Sequence, residues 1–129
     1  MNLEITKDRW ADFFDTLSRR RYEWRTKIEV LHADMGDQIL SDGLPLNGIT
    51  AELDDDRTTI DISVGESPAS HQTHNIENPT KVAFLPAADG RGDVIDIEEA
   101  DGTKTLITFI EPAAIIVGFT EIDMFASAA

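Results

Sequence analysis

Between Asp93 and Ile110 the chain reads DVIDIEEADGTKTLITFI, and its alternation of apolar and polar residues predicts a β-hairpin closed at Ala100-Asp101-Gly102. Two closures are open to it. A two-residue Asp-Gly turn sets Asp96 opposite Ile107 and mixes polar with apolar on both faces. A three-residue loop, with Gly102 supplying a left-handed residue, sets Ile95 opposite Ile107 and Ile97 opposite Thr105. Phe109 then shares their face, Glu98 meets Lys104, and Asp96 points outward. Only the second closure separates the faces. It predicts a half-buried antiparallel sheet around which the rest of the chain must pack.

The 129 residues fit one domain, 1–129, with a core large enough to be stable. No cysteine is present, which excludes disulfides and thiolate chemistry and suits a reducing cytoplasm. The N-terminal MNLEITKDRW has no basic segment followed by an apolar run, so it does not read as a signal peptide. The apolar stretch Ala113–Val117 is too short to span a bilayer. Net charge is −14 and unevenly placed. Residues 1–27 carry Lys7, Arg9, Arg19, Arg20, Arg21, Arg25 and Lys27 against five acids, so the acidity resides in residues 28–129. Such a field disfavours direct contact with nucleic acid or anionic membrane and favours solvation or a basic partner.

Residues 6–21 are predicted as one amphipathic helix. Trp10, Phe13, Phe14 and Leu17 form an apolar stripe, Thr6 is the expected N-cap, and Ile5 can staple against Trp10. From Trp24 the period changes to two. Strands are expected at Trp24–Val30, Gln38–Ser41, Ile49–Leu53, Thr59–Val64, His71–Ile76 and Lys81–Leu85, followed by the hairpin. Gly43–Gly48, with Pro45 inside it, reads as a crossing segment and not as a central strand. The expected fold is therefore mainly β (α+β). An N-terminal helix packs on a small antiparallel barrel or roll of about eight short strands, in meander order over residues 24–110. The tail 111–129 begins at Glu111-Pro112, where the last strand is expected to stop, and continues apolar without clear period.

Candidate chemistry is sparse. His71 and His74 stand three apart, which on a strand sends them to opposite faces, so no metal is expected. Asp54-Asp55-Asp56 lacks the ligand spacing and central glycine of a calcium loop and reads as a turn. Arg91-Gly92-Asp93 reads as a coincidental tripeptide. Asp96 and Glu98 share a strand face and, with Asp101, form an acidic ridge better suited to docking cations than to acid–base work. His74 with Asn78-Pro79 can make a small polar cluster around a turn; the plainer reading has Asn78 initiating the turn and His74 satisfying a backbone group. No catalytic set converges, and no cofactor is expected.

Several segments together, EITKDRWADFF, LPLNGI, THNIENPTKV and IEEADGTKTLITF, resemble a family of small uncharacterised bacterial proteins described only as a domain of unknown function. The residues that carry the resemblance are Trp10, Phe13, Phe14, Leu44–Leu46, His74, Asn78–Thr80 and Ala100–Gly102. It implies no activity and no catalytic residue, and it includes a histidine at His74.

Three functional readings follow. The first is a non-enzymatic, acidic binding or regulatory module, self-associating or bound to a protein with a basic surface, with His74, Asn78, Asp96, Glu98 and Asp101 as its contact residues. The second is an acidic decoy that mimics nucleic acid for a basic protein. The third is a small-molecule-binding barrel or weak hydrolase around His74, which requires His74 to line a concave pocket.

Overall fold

The computed structural model describes residues 2–54 and 56–113. Within them the chain forms β1 (Leu3–Ile5), a 3-10 turn at Lys7–Arg9, α1 (Trp10–Arg20), β2 (Trp24–His32), β3 (Gly36–Leu53) and β4 (Thr58–Val64). A second 3-10 turn at Pro68–Ser70 precedes β5 (Gln72–Glu77), β6 (Pro79–Leu85), β7 (Asp93–Glu99) and β8 (Lys104–Pro112). The eight strands make one antiparallel sheet in the order β1-β6-β7-β8-β2-β3-β4-β5. The sheet is curled but not closed into a barrel; β1 and β5 are its edges. The order is also more than a meander. Two meanders, β6-β7-β8 and β2-β3-β4-β5, meet where β8 pairs with β2.

The hairpin has the three-residue closure. Ile95 pairs with Ile107, Ile97 with Thr105 and Glu98 with Lys104, and Gly102 takes a φ of 91°. The same alternation continues across neighbouring strands, so that Ile95, Ile107 and Ile28 form a fully buried row through β7, β8 and β2. A second inner row runs Ile49, Ile62, His74 through β3, β4 and β5.

The helix covers this concave face with the predicted stripe: Trp10, Phe14 and Leu17 join the core, and Phe13 meets Phe84 edge-on at 5.9 Å. Ser18 fixes its position on β3, its Oγ donating to the Ile49 carbonyl at 3.0 Å and accepting from the Ile49 N–H at 2.9 Å. The helix start differs from expectation. Thr6 precedes the 3-10 turn and its side chain makes no capping bond, while the Trp10 indole N–H reaches back to the Ile5 carbonyl at 2.8 Å. Ile5 is held instead by its ladder to Val82, so the chain enters the helix from an edge strand.

Two expected strands are one. β3 runs unbroken from Gly36 to Leu53, because the glycines and the proline of the crossing segment bend the strand without ending it. Gly43 has a φ of 98°, the pairing with β2 shifts register twice, and Pro45 still sits opposite Arg25. Pro112, expected as the stop, is the last residue of β8, opposite Trp24. Residues 114–129 of the tail lie outside the described residues. Among the described residues no helix is long and apolar enough to cross a membrane.

Candidate functional site

A cleft of about 660 Å³ is lined by residues from four segments, including Tyr22, Glu23, Arg25, Asn47, Glu66 and His71. One wall is the β4–β5 loop. Gly65 begins it with a φ of 148°, and a Cβ there would lie 2.7 Å from the His71 Cα and 2.9 Å from the Ser70 carbonyl oxygen. Only glycine lets the two ends of the loop approach so closely. Inside the loop, Ser70 Oγ accepts from the N–H groups of Glu66 at 3.0 Å and Ser67 at 3.1 Å. Two bonds tie it to β3: Gly65 N–H to the Pro45 carbonyl at 3.0 Å and Asn47 Nδ2 to the Gly65 carbonyl at 3.2 Å. The loop is braced by its own hydrogen bonds.

The opposite wall is the α1–β2 corner. Glu23 has a φ of 64°, uncommon for a residue with a side chain. It is held there by its N–H on the Leu46 carbonyl at 2.8 Å and by its carbonyl, which accepts from Ala113 N–H at 3.2 Å. Arg25 commits one nitrogen to the Gly43 carbonyl at 3.1 Å, leaving the rest of its guanidinium fork to serve a ligand. The cleft thus sets a guanidinium and a phenol beside two carboxylates, Glu23 and Glu66.

At the rim, His71 Nε2 lies 2.5 Å from Ser63 Oγ. This is the spacing of a nucleophile and its base, but a working pair also needs a third group that orients the imidazole. Among the described residues no side chain hydrogen-bonds His71 Nδ1. The pair therefore has no orienting third group among the described residues.

His74 lies on the other side of the same loop. It occupies the inner row, opposite Ile62, and faces Thr105 Oγ1 at 3.4 Å across the interior. It lines a partly open hollow of about 260 Å³ together with Ile28, Leu40, Ile62, Val64, Gln72 and Thr73. Burial there lowers its pKa below the ordinary 6.5 and favours the neutral imidazole.

The other expected contact residues do not gather around it. Asn78, left-handed at a φ of 52°, exchanges backbone bonds with Thr58 and Ala100 and lines a separate shallow hollow with Arg57 and Lys7. Asp96 and Glu98 share the outer face of β7; Glu98 is in line with Lys81 and Lys104 on the flanking strands, whereas Asp96 lies opposite Ala83 and Leu106. Asp96 is half-buried, with Oδ1 unpartnered; desolvation first, and then Glu98 beside it, raises its pKa. Asp101 is at the hairpin tip, where its carboxylate accepts from Thr103 N–H at 2.9 Å, a bond that lowers its pKa. Among the described residues no three His, Asp or Glu side chains are grouped to hold a metal ion. The cleft itself was not legible in the sequence, because its polar residues come from distant segments with no common motif.

The family model described as "Family of unknown function (DUF5335)" matches residues 1–116. An uncharacterized protein of Aquifex aeolicus (strain VF5) is 28% identical over 109 residues, covering 84% of this chain and 91% of that protein. No solved structure matches.

Proposed function

The chain belongs to the DUF5335 family of unknown function, and we propose that it is a non-enzymatic binding module whose ligand occupies the cleft between the α1–β2 corner and the β4–β5 loop. The observation that carries this reading is a cleft of about 660 Å³, hydrogen-bonded along one wall, with residues of both charges in its lining. That volume suits a small molecule, and a few fixed polar groups on a preformed wall are what such sites use for orientation. Arg25 and Tyr22 would take an anionic group, and Glu23 and Glu66 a cationic one. The favoured ligand is therefore small and zwitterionic, such as an amino acid or the end of a peptide. The cysteine-free composition supports a reducing, cytoplasmic setting.

Saturation-transfer NMR against free amino acids and dipeptides tests this. Binding lost in Arg25→Ala and kept in His74→Ala is the expected pattern. Turnover of an ester, phosphoester or glycoside panel that disappears in His71→Ala or His74→Ala overturns the non-enzymatic reading.

Self-association is supported by one feature. β5 is a terminal strand of six residues in regular register with β4, and it contains neither Lys nor Pro. Among the described residues no strand pairs with its outer edge. Edges left unblunted in this way accept another strand. The decoy reading rests on total charge alone, since Glu98 sits between Lys81 and Lys104 and breaks the acidic ridge with cations.

A further inference from the structure

We infer that a second copy of this chain pairs along the open edge of β5, antiparallel and centred on Asn75, so that two sheets become one; this rests on the self-association reading above and gives it a register. The direction of the backbone groups comes first. Asn78 N–H donates to the Thr58 carbonyl at 3.1 Å, and the ladder continues from that pair through Ile76 with Ile60, His74 with Ile62 and Gln72 with Val64. In an antiparallel ladder alternate residues bond the same neighbour. Gln72, His74 and Ile76 therefore direct their N–H and carbonyl groups to β4. Thr73, Asn75 and Glu77, all exposed, turn theirs to the open edge.

One register uses all of these groups. Centred on Asn75, it sets Asn75 against the partner's Asn75 and Thr73 against the partner's Glu77, with inner side chains beside inner ones. Sliding the copies one way sets Glu77 against the partner's His71, outside the strand. Sliding them the other way sets Thr73 against the partner's Pro79, which has no N–H to give. Charge permits the central register. The one formally charged side chain of β5 is Glu77, which Arg57 already meets at 2.9 Å, and the residue facing it is neutral. Asp61, which accepts from Asn75 Nδ2 at 2.5 Å, would lie three strand spacings from its counterpart. That is about 14 Å, beyond the Debye length of about 8–10 Å. A basic protein would find here a single carboxylate that is already paired. Pairing β5 with the other edge, β1, would use a strand of three residues and would run on as an open array, whereas β5 with β5 closes at two copies.

The absence of cysteine from the chain makes the register testable by cross-linking. Under oxidation Asn75→Cys should bridge to itself, since residues paired in this way lie about 5.5 Å apart at Cα. Thr73→Cys and Glu77→Cys should not, because each lies about 14 Å from its own copy along the strand, but the two mixed should bridge to each other. Sedimentation of the full chain should show monomer and dimer and nothing larger, the dimer tightening as salt screens the −14 on each chain. Thr73→Glu, which meets the partner's Glu77 at both ends of the contact, should weaken the dimer roughly three- to tenfold. Gln38→Glu, on the part of β3 paired with β2, adds the same charge away from the edge and should change it little. A monomer at every concentration removes the self-association reading and this inference together. If, in that monomer, the amides of Thr73, Asn75 and Glu77 resist hydrogen exchange, the edge is covered from within the chain. A dimer in which Thr73→Cys or Glu77→Cys bridges to itself, or Asn75→Cys does not, overturns the inference and leaves self-association standing.

Discussion

Arg21 Nη2 donates to Asp93 Oδ2 at 2.8 Å, joining the end of α1 to the start of β7 across most of the chain. The pair is enclosed. Asp93 is 3% exposed and Arg21 19%, and the guanidinium lies over the Trp24 ring at 4.6 Å. Asp93 also accepts from Ala87 N–H, which anchors the β6–β7 loop. The Arg91-Gly92-Asp93 tripeptide therefore has its carboxylate engaged inside the protein.

Removing one partner of this pair leaves a buried charge. Arg21→Met is expected to cost about 3–5 kcal/mol. Adding Asp93→Asn, which keeps an acceptor for Ala87 and removes the stranded charge, should recover part of that loss. Urea unfolding of the single and double variants measures both. A double variant less stable than Arg21→Met would show that the pair is not what holds this corner.

Gly65→Ala should damage the cleft more than the core. Its methyl would meet backbone at both His71 and Ser70, at a φ of 148° that side chains rarely adopt. A loss on the order of 1–3 kcal/mol is expected from the strained backbone. The amide resonances of Glu66–His71 should move while those of β7 and β8 stay in place.

His74 predicts an acid-sensitive stability. Its pKa is lowered by burial in the folded state, so the unfolded chain binds the proton more tightly. The contribution is complete above the ordinary value of 6.5 and is lost as pH falls through the lowered folded value. His74→Leu should therefore lose less stability than the wild type between about pH 7.5 and about pH 5. Equal losses in the two proteins would count against a half-buried, neutral His74.

Asp96 has the opposite sign. Its pKa is raised, first by burial and then by Glu98, so the folded state holds the proton more tightly than the unfolded chain. Stability from this group is present below the ordinary value of 3.8 and is lost as pH rises through the raised folded value. Asp96→Asn should consequently raise the urea midpoint at neutral pH and leave it nearly unchanged in acid. A lower midpoint at pH 7 would refute this account of the outer face.

What could be read from the sequence was local. Alternation chose the correct hairpin closure, because Ile95, Ile97 and Ile107 can share a buried face in one register only. The stripe Trp10, Phe14 and Leu17 marked the helix for the same reason. Features set by distant partners were hidden. β1 is three residues long and exists through its ladder to Val82–Phe84, so no periodicity announces it. Gly43 and Pro45 broke the pattern of β3 although β2 holds that strand together from the side. His74 was visible as an unusual residue, but only the curl of the sheet brings it to Thr105. Its expected neighbour Asn78 points along a different hollow, since the two sit on either side of the end of β5.

The pairing of β1 with β6 has a consequence for synthesis. Leu3–Ile5 is synthesised well before its ladder partners, residues 82–84. Until they emerge, seconds later at ordinary translation rates, β1 has no partner strand and Phe13 lacks the Phe84 ring that it meets edge-on. Leu3–Ile5 thus waits longer for its partner than the strands that pair with their neighbours in sequence, and it is a stretch a holding chaperone would be expected to grip.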